Sequence, residues 1–266
     1  MKALKIHLVL IVAVLGLISC GGNNDDSPSV NRTADDVRSD FQNLSIQPGI
    51  NDLVLESIVA GVFWNFRIIA PSDASETNKR PLVLSLHGGA LNISPEAHKS
   101  TNCLAEPAFE GLNAYIISPN SDGHLWYEQQ NQTQILALLD LAKKYLFIDE
   151  NKVVITGYSD GGNGSWFYAQ YYSDLFSAAI PMASSYNSVG SDDIVPKINI
   201  PLYVIHGEND DLFPLAQTEE WVNQSKNAGS SIEFVIASGL THYEVCNYVG
   251  YLTTATNWLQ NEVWSQ

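Results

Sequence analysis

Between residues 81 and 237 the chain alternates short unbroken apolar runs with longer stretches of helical period. The runs are Pro81–Leu86, Ala114–Ser118, Lys152–Thr156, Ala178–Pro181, Leu202–Ile205 and Ile232–Ala237. Each is short and set off by turn-forming or polar residues, which predicts strands buried on both faces. Between them, Thr133–Tyr145 places Ile135, Leu136, Leu138, Leu139, Leu141 and Ala142 on one broad face, with Thr133 as the expected N-cap. Gly162–Phe176, Pro214–Ala228 and Cys246–Val263 predict three more helices, the second opening on a proline. Two β-rich stretches, Asp52–Val59 and Val62–Ile69, come earlier and turn at Ala60-Gly61. Strands alternating with helices predict an α/β fold, a mostly parallel, doubly wound sheet with helices on both faces. There is no internal repeat and no sign of a second or large cap domain.

The pattern changes at the N-terminus. Lys2 and Lys5 precede the apolar run Leu8–Ile18, whose 11 residues are too few to cross a bilayer and suit the core of a signal peptide. The run ends in Leu17-Ile18-Ser19-Cys20, followed by Gly21-Gly22, and this resembles a bacterial lipobox. The resemblance implies removal of residues 1–19 as a lipoprotein signal, lipidation of Cys20 and a membrane contact made through that anchor. The bland alternative is an ordinary signal peptide with an incidental cysteine. Residues 20–40 are rich in Asn, Asp, Ser and Thr without apolar period and read as a flexible tether. Residues 41–266 are left for one catalytic domain, on the outside of the cell or facing the periplasm.

Charge then narrows the partners. The full chain has 13 basic and 29 acidic residues, a net charge of −16; without residues 1–19 the basic count falls to 11 and the charge to −18. Phosphate binding needs clustered Lys and Arg, so nucleic acid is excluded as a partner, and a polyanionic substrate is disfavoured. Three cysteines are too few for a disulfide scaffold. No dinucleotide or nucleotide fingerprint occurs. His98 and His124 lack a second ligand at metal spacing, so no metal and no cofactor is expected.

Chemistry collects where strands end. Gly157-Tyr158-Ser159-Asp160-Gly161 follows the strand KVVIT and precedes a helix. A G-x-S-x-G pentapeptide in that context sets a serine hydroxyl on a sharp turn at a helix N-terminus, where developing negative charge is favoured. Small residues two positions either side let the strained turn form. A serine hydroxyl needs a base oriented by a third group. After Ser159 only His206 and His242 remain. His242, just after the last strand, is the expected base, and His206 is expected to order its own turn. The segment His206-Gly207-Glu208-Asn209-Asp210-Asp211-Leu212-Phe213-Pro214 offers Glu208, Asp210 and Asp211 as the orienting carboxylate. It resembles the HGxxDxxxP loop of α/β-hydrolases, which implies Asp210, with Asp211 as a solvated or capping alternative. The backbone amides of Asp160 and of Gly89, in His87-Gly88-Gly89-Ala90, are the expected oxyanion donors.

These motifs, in order and each at a strand end, resemble those of the α/β-hydrolases. The resemblance spans residues 53 to 262, with no large cap domain. Around the nucleophile, Ile148–Gly162 is similar to secreted carboxylesterases of the feruloyl esterase and polyhydroxybutyrate depolymerase type and to dienelactone-hydrolase-like relatives. It implies a serine esterase with Ser159, Asp210 and His242 as its triad. The chain departs from the first two groups around the base. Leu240-Thr241-His242-Tyr243-Glu244 lacks their glycine-rich run before the histidine and their Trp-Pro after it, so aromatic esters and polyesters gain no support. A serine nucleophile, in place of cysteine, argues against a true dienelactone hydrolase.

Cys103 and Cys246 flank the predicted site; a bridge between them would tie two of its loops together, two buried free thiols being the alternative. Trp126 and Tyr127 are candidates for a substrate pocket, for the core or for the surface. Trp166, Phe167, Tyr168, Tyr171 and Tyr172 are expected to pack mostly on the sheet. The sequence thus leads to an esterase acting on a small or glycan-linked neutral ester. A serine peptidase on the same fold, or a non-catalytic surface-binding lipoprotein, are the alternatives. Oligomeric state is not legible.

Overall fold

A computed structural model describes residues 32–265. Its sheet has eight strands in the order β1-β2-β4-β3-β5-β6-β7-β8. The first two, β1 (Gly49–Glu56) and β2 (Phe63–Ala70), form an antiparallel hairpin, and β2 is also antiparallel to β4 (Tyr115–Pro119). From β4 onward every pairing is parallel, through β3 (Arg80–Leu86), β5 (Ile148–Tyr158), β6 (Ala178–Met182), β7 (Leu202–Gly207) and β8 (Ile232–Ala237). Only β2 runs against the rest.

The unbroken apolar runs are explained by helices on both faces. Leu82, Leu84, Ile155 and Val204 pack on one side with α1 (Ala34–Gln42), α3 (Gln129–Tyr145), α4 (Asp160–Tyr171) and Val222 of α5 (Leu215–Asn227). Their neighbours Val83, Val154, Ile180 and Ile205 pack on the other with α2 (Ala105–Phe109) and α6 (Val249–Trp258). Successive side chains of a strand point to opposite faces, so a strand covered twice must be apolar at every position. The connection from β6 to β7, residues 183–201, contains no helix or strand. No large cap rises over the sheet among the described residues.

Several element bounds differ from the sequence reading. The signal 1–19 and Cys20 lie outside the described residues. The expected tether extends too far, because Ala34–Gln42 is helical. Thr33 and Asp36 close a reciprocal capping box, Val37 and Phe41 are buried, and Arg32 ties the helix to Glu56 and to the Ser57 carbonyl. A helix of about two and a half turns with two buried positions leaves little apolar period to read. The hairpin connection takes in residues 57–62, since the Ser57 hydroxyl and the Val59 carbonyl close the turn there. Helix α3 begins a turn before Thr133, which is interior and donates to the Gln129 carbonyl. The aromatic helix starts at Asp160 and stops at Tyr171, and the closing helix is preceded by a tight turn at Val245–Tyr248. Helix α2 was not foreseen; five residues carry no period.

Candidate active site

At the C-terminal ends of β3, β5, β7 and β8 four loops converge, the usual place for a site in an α/β sheet. Ser159 caps α4 with φ +58° and ψ −120°, a conformation rare for a residue with a side chain. Packing forces it. A Cβ on Gly157 would lie 2.2 Å from the Gly161 carbonyl oxygen, and one on Gly161 would lie 2.0 Å from the Leu86 carbonyl oxygen. With both positions restricted to glycine, the turn seats directly against β3 and lifts the Ser159 hydroxyl above the sheet.

The Ser159 Oγ lies 2.8 Å from Nε2 of His242, and Nδ1 of His242 lies 2.8 Å from Oδ2 of Asp210. Asp210 is buried, and its Oδ1 accepts from the backbone N–H groups of Leu212 and Phe213 at 3.1 and 2.8 Å. A carboxylate so held is compelled to accept from Nδ1–H, which leaves Nε2 as the basic nitrogen facing the serine. Asp211 is exposed and takes no part. His206 is fully buried, and its Nε2–H donates to the Phe213 carbonyl at 2.8 Å. It therefore shapes the turn that carries Asp210, as the sequence suggested. Burial holds its pKa below the usual imidazole value, so it is neutral at pH 7.

The loop after β3 is braced from three sides. The N–H of Ala90 donates to the Asp160 carboxylate at 3.0 Å, joining the loop to the nucleophile turn. Ser121, just beyond β4, donates its N–H to His87 Nε2 at 3.1 Å and its hydroxyl to the Ala90 carbonyl at 2.7 Å. The first bond fixes the His87 proton on Nδ1, which donates to the Gly88 carbonyl, and burial depresses its pKa. Trp126 is completely buried and donates its indole N–H to the His87 carbonyl, so it braces the loop rather than lining a pocket. Tyr127 is nearly half exposed. Of the aromatic residues on α4 and at its C-cap, Trp166 and Tyr168 are buried, Phe167 and Tyr172 pack partly on the core, and Tyr171 is exposed. Gly89 has φ +64°, and the chain at Gly88 approaches Ser159 so closely that an added Cβ would lie 3.2 Å from the serine Cβ.

The His242 loop is held by side chains, most of which belong to no sequence motif. Tyr158, the x of the pentapeptide, donates its hydroxyl to the His242 carbonyl, and Tyr248 donates to the Thr241 carbonyl at 3.0 Å. Burial pushes both phenols far above their usual pKa, so they stay protonated donors. A Cβ on Gly207 would lie 2.3 Å from the Tyr248 hydroxyl, so a glycine in the acid turn admits the tyrosine. The ring of Phe213 stands edge-on to His242, centroids 5.0 Å apart. Glu244 accepts from the N–H and hydroxyl of Thr241 at 2.8 and 2.9 Å, which holds its carboxyl below the usual glutamate range. Cys103 and Cys246 are joined in a disulfide that links the segment before α2 to the His242 loop. A cavity of about 880 Å³ opens over the serine, lined among others by Gly88, Gly89, Ser159, Leu104 and His242. Among the described residues no cluster of three His, Cys, Asp or Glu side chains is arranged to hold a metal ion.

Comparison with known proteins agrees with this architecture. A bifunctional acetylxylan esterase/xylanase of Neocallimastix patriciarum is 25% identical over 182 residues, covering 67% of this chain and 26% of its own. The chain therefore spans about a quarter of that relative's length. Among solved structures, a thermostable esterase superposes with a TM-score of 0.66 at 20% identity, over 79% of this chain and 62% of that one. The fluorophosphonate-binding serine hydrolase F of Staphylococcus aureus superposes with a TM-score of 0.66 at 17% identity, over 82% of this chain and 100% of that one. At these identities the likeness speaks for the fold, which is that of the α/β-hydrolases. Residues 118–255 match the dienelactone hydrolase family, and that span runs from β4 into α6 and contains Ser159, Asp210 and His242. Because the match takes in more than half of the chain, this protein belongs to the dienelactone hydrolase family.

Proposed function

We propose that this hydrolase is a serine carboxylic-ester hydrolase that works through an acyl-enzyme. The observation that carries the reading is the continuous relay from the Ser159 hydroxyl through both nitrogens of His242 to a buried carboxylate, each link 2.8 Å long. Ser159 Oγ attacks the ester carbonyl while His242 Nε2 takes its proton. The resulting imidazolium is stabilised by Asp210 and then protonates the departing alkoxide oxygen. The backbone N–H groups of Gly89 and Asp160 receive the oxyanion, the second at the N-terminus of α4 where the helix dipole adds to it. Water, activated by the same imidazole, hydrolyses the acyl-serine. A serine in the nucleophile position favours this ester chemistry over dienelactone hydrolysis.

The substrate we favour is a small or glycan-linked neutral ester. The acidic chain repels polyanions, and a relative named as an acetylxylan esterase/xylanase lends support to acylated glycans. We further propose that Cys20 is lipidated, holding the enzyme on the cell envelope by that anchor alone, with no nucleic-acid partner.

Short-chain p-nitrophenyl esters test the reading. The wild type is expected to hydrolyse p-nitrophenyl acetate and to be labelled by a fluorophosphonate. Ser159→Ala should lose about 10⁶-fold in kcat. A wild type that is inert towards both reagents would sink the proposal and favour a binding protein. Faster turnover of peptide amides than of esters would favour a peptidase.

A further inference from the structure

A row of polar side chains crosses the sheet beneath the nucleophile, and neither the triad nor the oxyanion amides use it. Arg67 of β2 stands opposite Ser118 of β4, and Ser85 of β3 stands opposite Thr156 of β5. The pairing of Leu84 with Ile117 sets Ser85 beside Ser118. By strand alternation these four residues share the sheet face of Val83, Ile116 and Val154. All four line the cavity that also contains Ser159 and His242. Ser85 lies inside a central strand of an eight-stranded sheet and is nevertheless partly exposed, because the cavity reaches down to it.

The direction of the row says which part of a substrate it meets. Asp210 and His242 follow β7 and β8, on one side of the nucleophile strand β5. The row leads the other way, across β3 and β4 to β2. The leaving alcohol must sit beside His242, which protonates it, so the acyl group is the part directed along the row. Ser85 and Ser118 lie one and two strand spacings from β5, about 5 and 10 Å, and Arg67 a third, about 14 Å.

Charge at the far end narrows the chemistry. Arg67 is nine-tenths buried and gives Nε and Nη2 to the Asp52 carboxylate at 2.7 and 3.0 Å. Its Nη1 faces the Lys99 carbonyl, the Thr101 hydroxyl and Glu106. Lys99 in turn pairs with Glu96 and reaches Asp52. Two cations against three carboxylates repel a further anion. Thr156 gives its hydroxyl proton to the Ile180 carbonyl, so Ser85 and Ser118 are the row's hydroxyl donors nearest the serine. Ser118 is already buried and Ser85 partly exposed. A hydrocarbon chain would cover both hydroxyls without giving them a partner, whereas a neutral oxygen on the chain would satisfy them.

We propose that this row is the acyl-specificity arm of the site, selecting acyl groups that carry a neutral hydrogen-bond-accepting oxygen several carbons from the ester carbonyl. The proposal rests on the esterase reading above. It is tested by comparing p-nitrophenyl 5-oxohexanoate with p-nitrophenyl hexanoate, which share chain length and leaving group. Wild type should prefer the oxo ester by about fivefold in kcat/KM, the worth of one net hydrogen bond. Ser85→Ala and Ser118→Ala should each reduce that ratio, and the double variant should bring it near one; circular dichroism and melting identify any variant that has not folded. The p-nitrophenyl monoester of glutaric acid should be a poorer substrate than the hexanoate. A wild-type ratio of one or less, a ratio indifferent to both folded serine variants, or a preference for the glutarate would overturn the proposal. Hydrolysis of p-nitrophenyl acetate separates the two readings. Without it and without fluorophosphonate labelling the esterase assignment fails, and with it a missing oxo preference counts against the arm alone.

Discussion

The turn that carries Ser159 is held by backbone packing, whereas the loop that carries His242 is held by side chains. In the first, Gly157 and Gly161 press the chain against the Leu86 carbonyl, and five consecutive residues define the geometry. In the second, two tyrosine hydroxyls, a glutamate carboxylate and a disulfide reach the loop from β5, from within the loop, from the turn before α6 and from the segment before α2. Backbone contacts tolerate no added atom, so the nucleophile turn should fail abruptly when changed. A set of separate tethers should fail in steps. In the mechanism proposed above, the nucleophile is needed at one fixed point while His242 serves both serine and leaving group, and graded restraint would suit that double task.

The largest departure expected in the side-chain half comes at its electrostatic end. Asp210→Asn should lower kcat about 10⁴-fold with little loss of fold, because an amide facing Nδ1 no longer selects the tautomer that leaves Nε2 basic. Steady-state kinetics beside a melting curve checks both statements, and a loss below tenfold would mean that another group orients His242. In the backbone half, Gly161→Ala introduces a Cβ 2.0 Å from the Leu86 oxygen and should cost about 4 kcal/mol or more, seen as insoluble or early-melting protein. Wild-type stability in that variant would remove the contrast between the two halves.

Smaller effects test the tethers one at a time. Replacing both Cys103 and Cys246 by serine should lower stability to urea by about 2–4 kcal/mol and raise KM, while fluorophosphonate labelling of Ser159 persists at a reduced rate. Complete loss of labelling would show that the disulfide carries the loop by itself. The smallest effect concerns Glu244. Its carboxyl is held below the ordinary glutamate range by Thr241, so its contribution is full above that range and fades as acid carries the pH through the lowered value. Wild type should therefore exceed Glu244→Gln slightly in urea midpoint at pH 7, and the two should converge as the pH falls through the lowered value. A gap that widens in acid would contradict this sign.

Much of the site was legible because its parts are local. The pentapeptide around Ser159 is read from five adjacent residues, and the preference for Asp210 over Asp211 followed from the resemblance of residues 206–214 to a short family motif. Helix α1 escaped notice for a related reason: its capping box is local, but its two buried residues make no period. The start of α3 was hidden by Asn131, a polar residue that is buried in the structure and so breaks the rule that buried means apolar. Trp126 was placed among three uses and turned out to brace the His87 loop, a role fixed by a partner 39 positions away.

The sequence by itself determined the alternation of strands and helices, the order of Ser159, Asp210 and His242 along the chain, and the net negative charge, because each depends on composition or short spacing. Tertiary structure alone decided how the disulfide, Tyr158 and Tyr248 hold the His242 loop, and how four strands align Arg67, Ser118, Ser85 and Thr156 in one row. These are contacts across the sheet between residues tens of positions apart, set by strand order and register, and no pattern along the chain encodes a register.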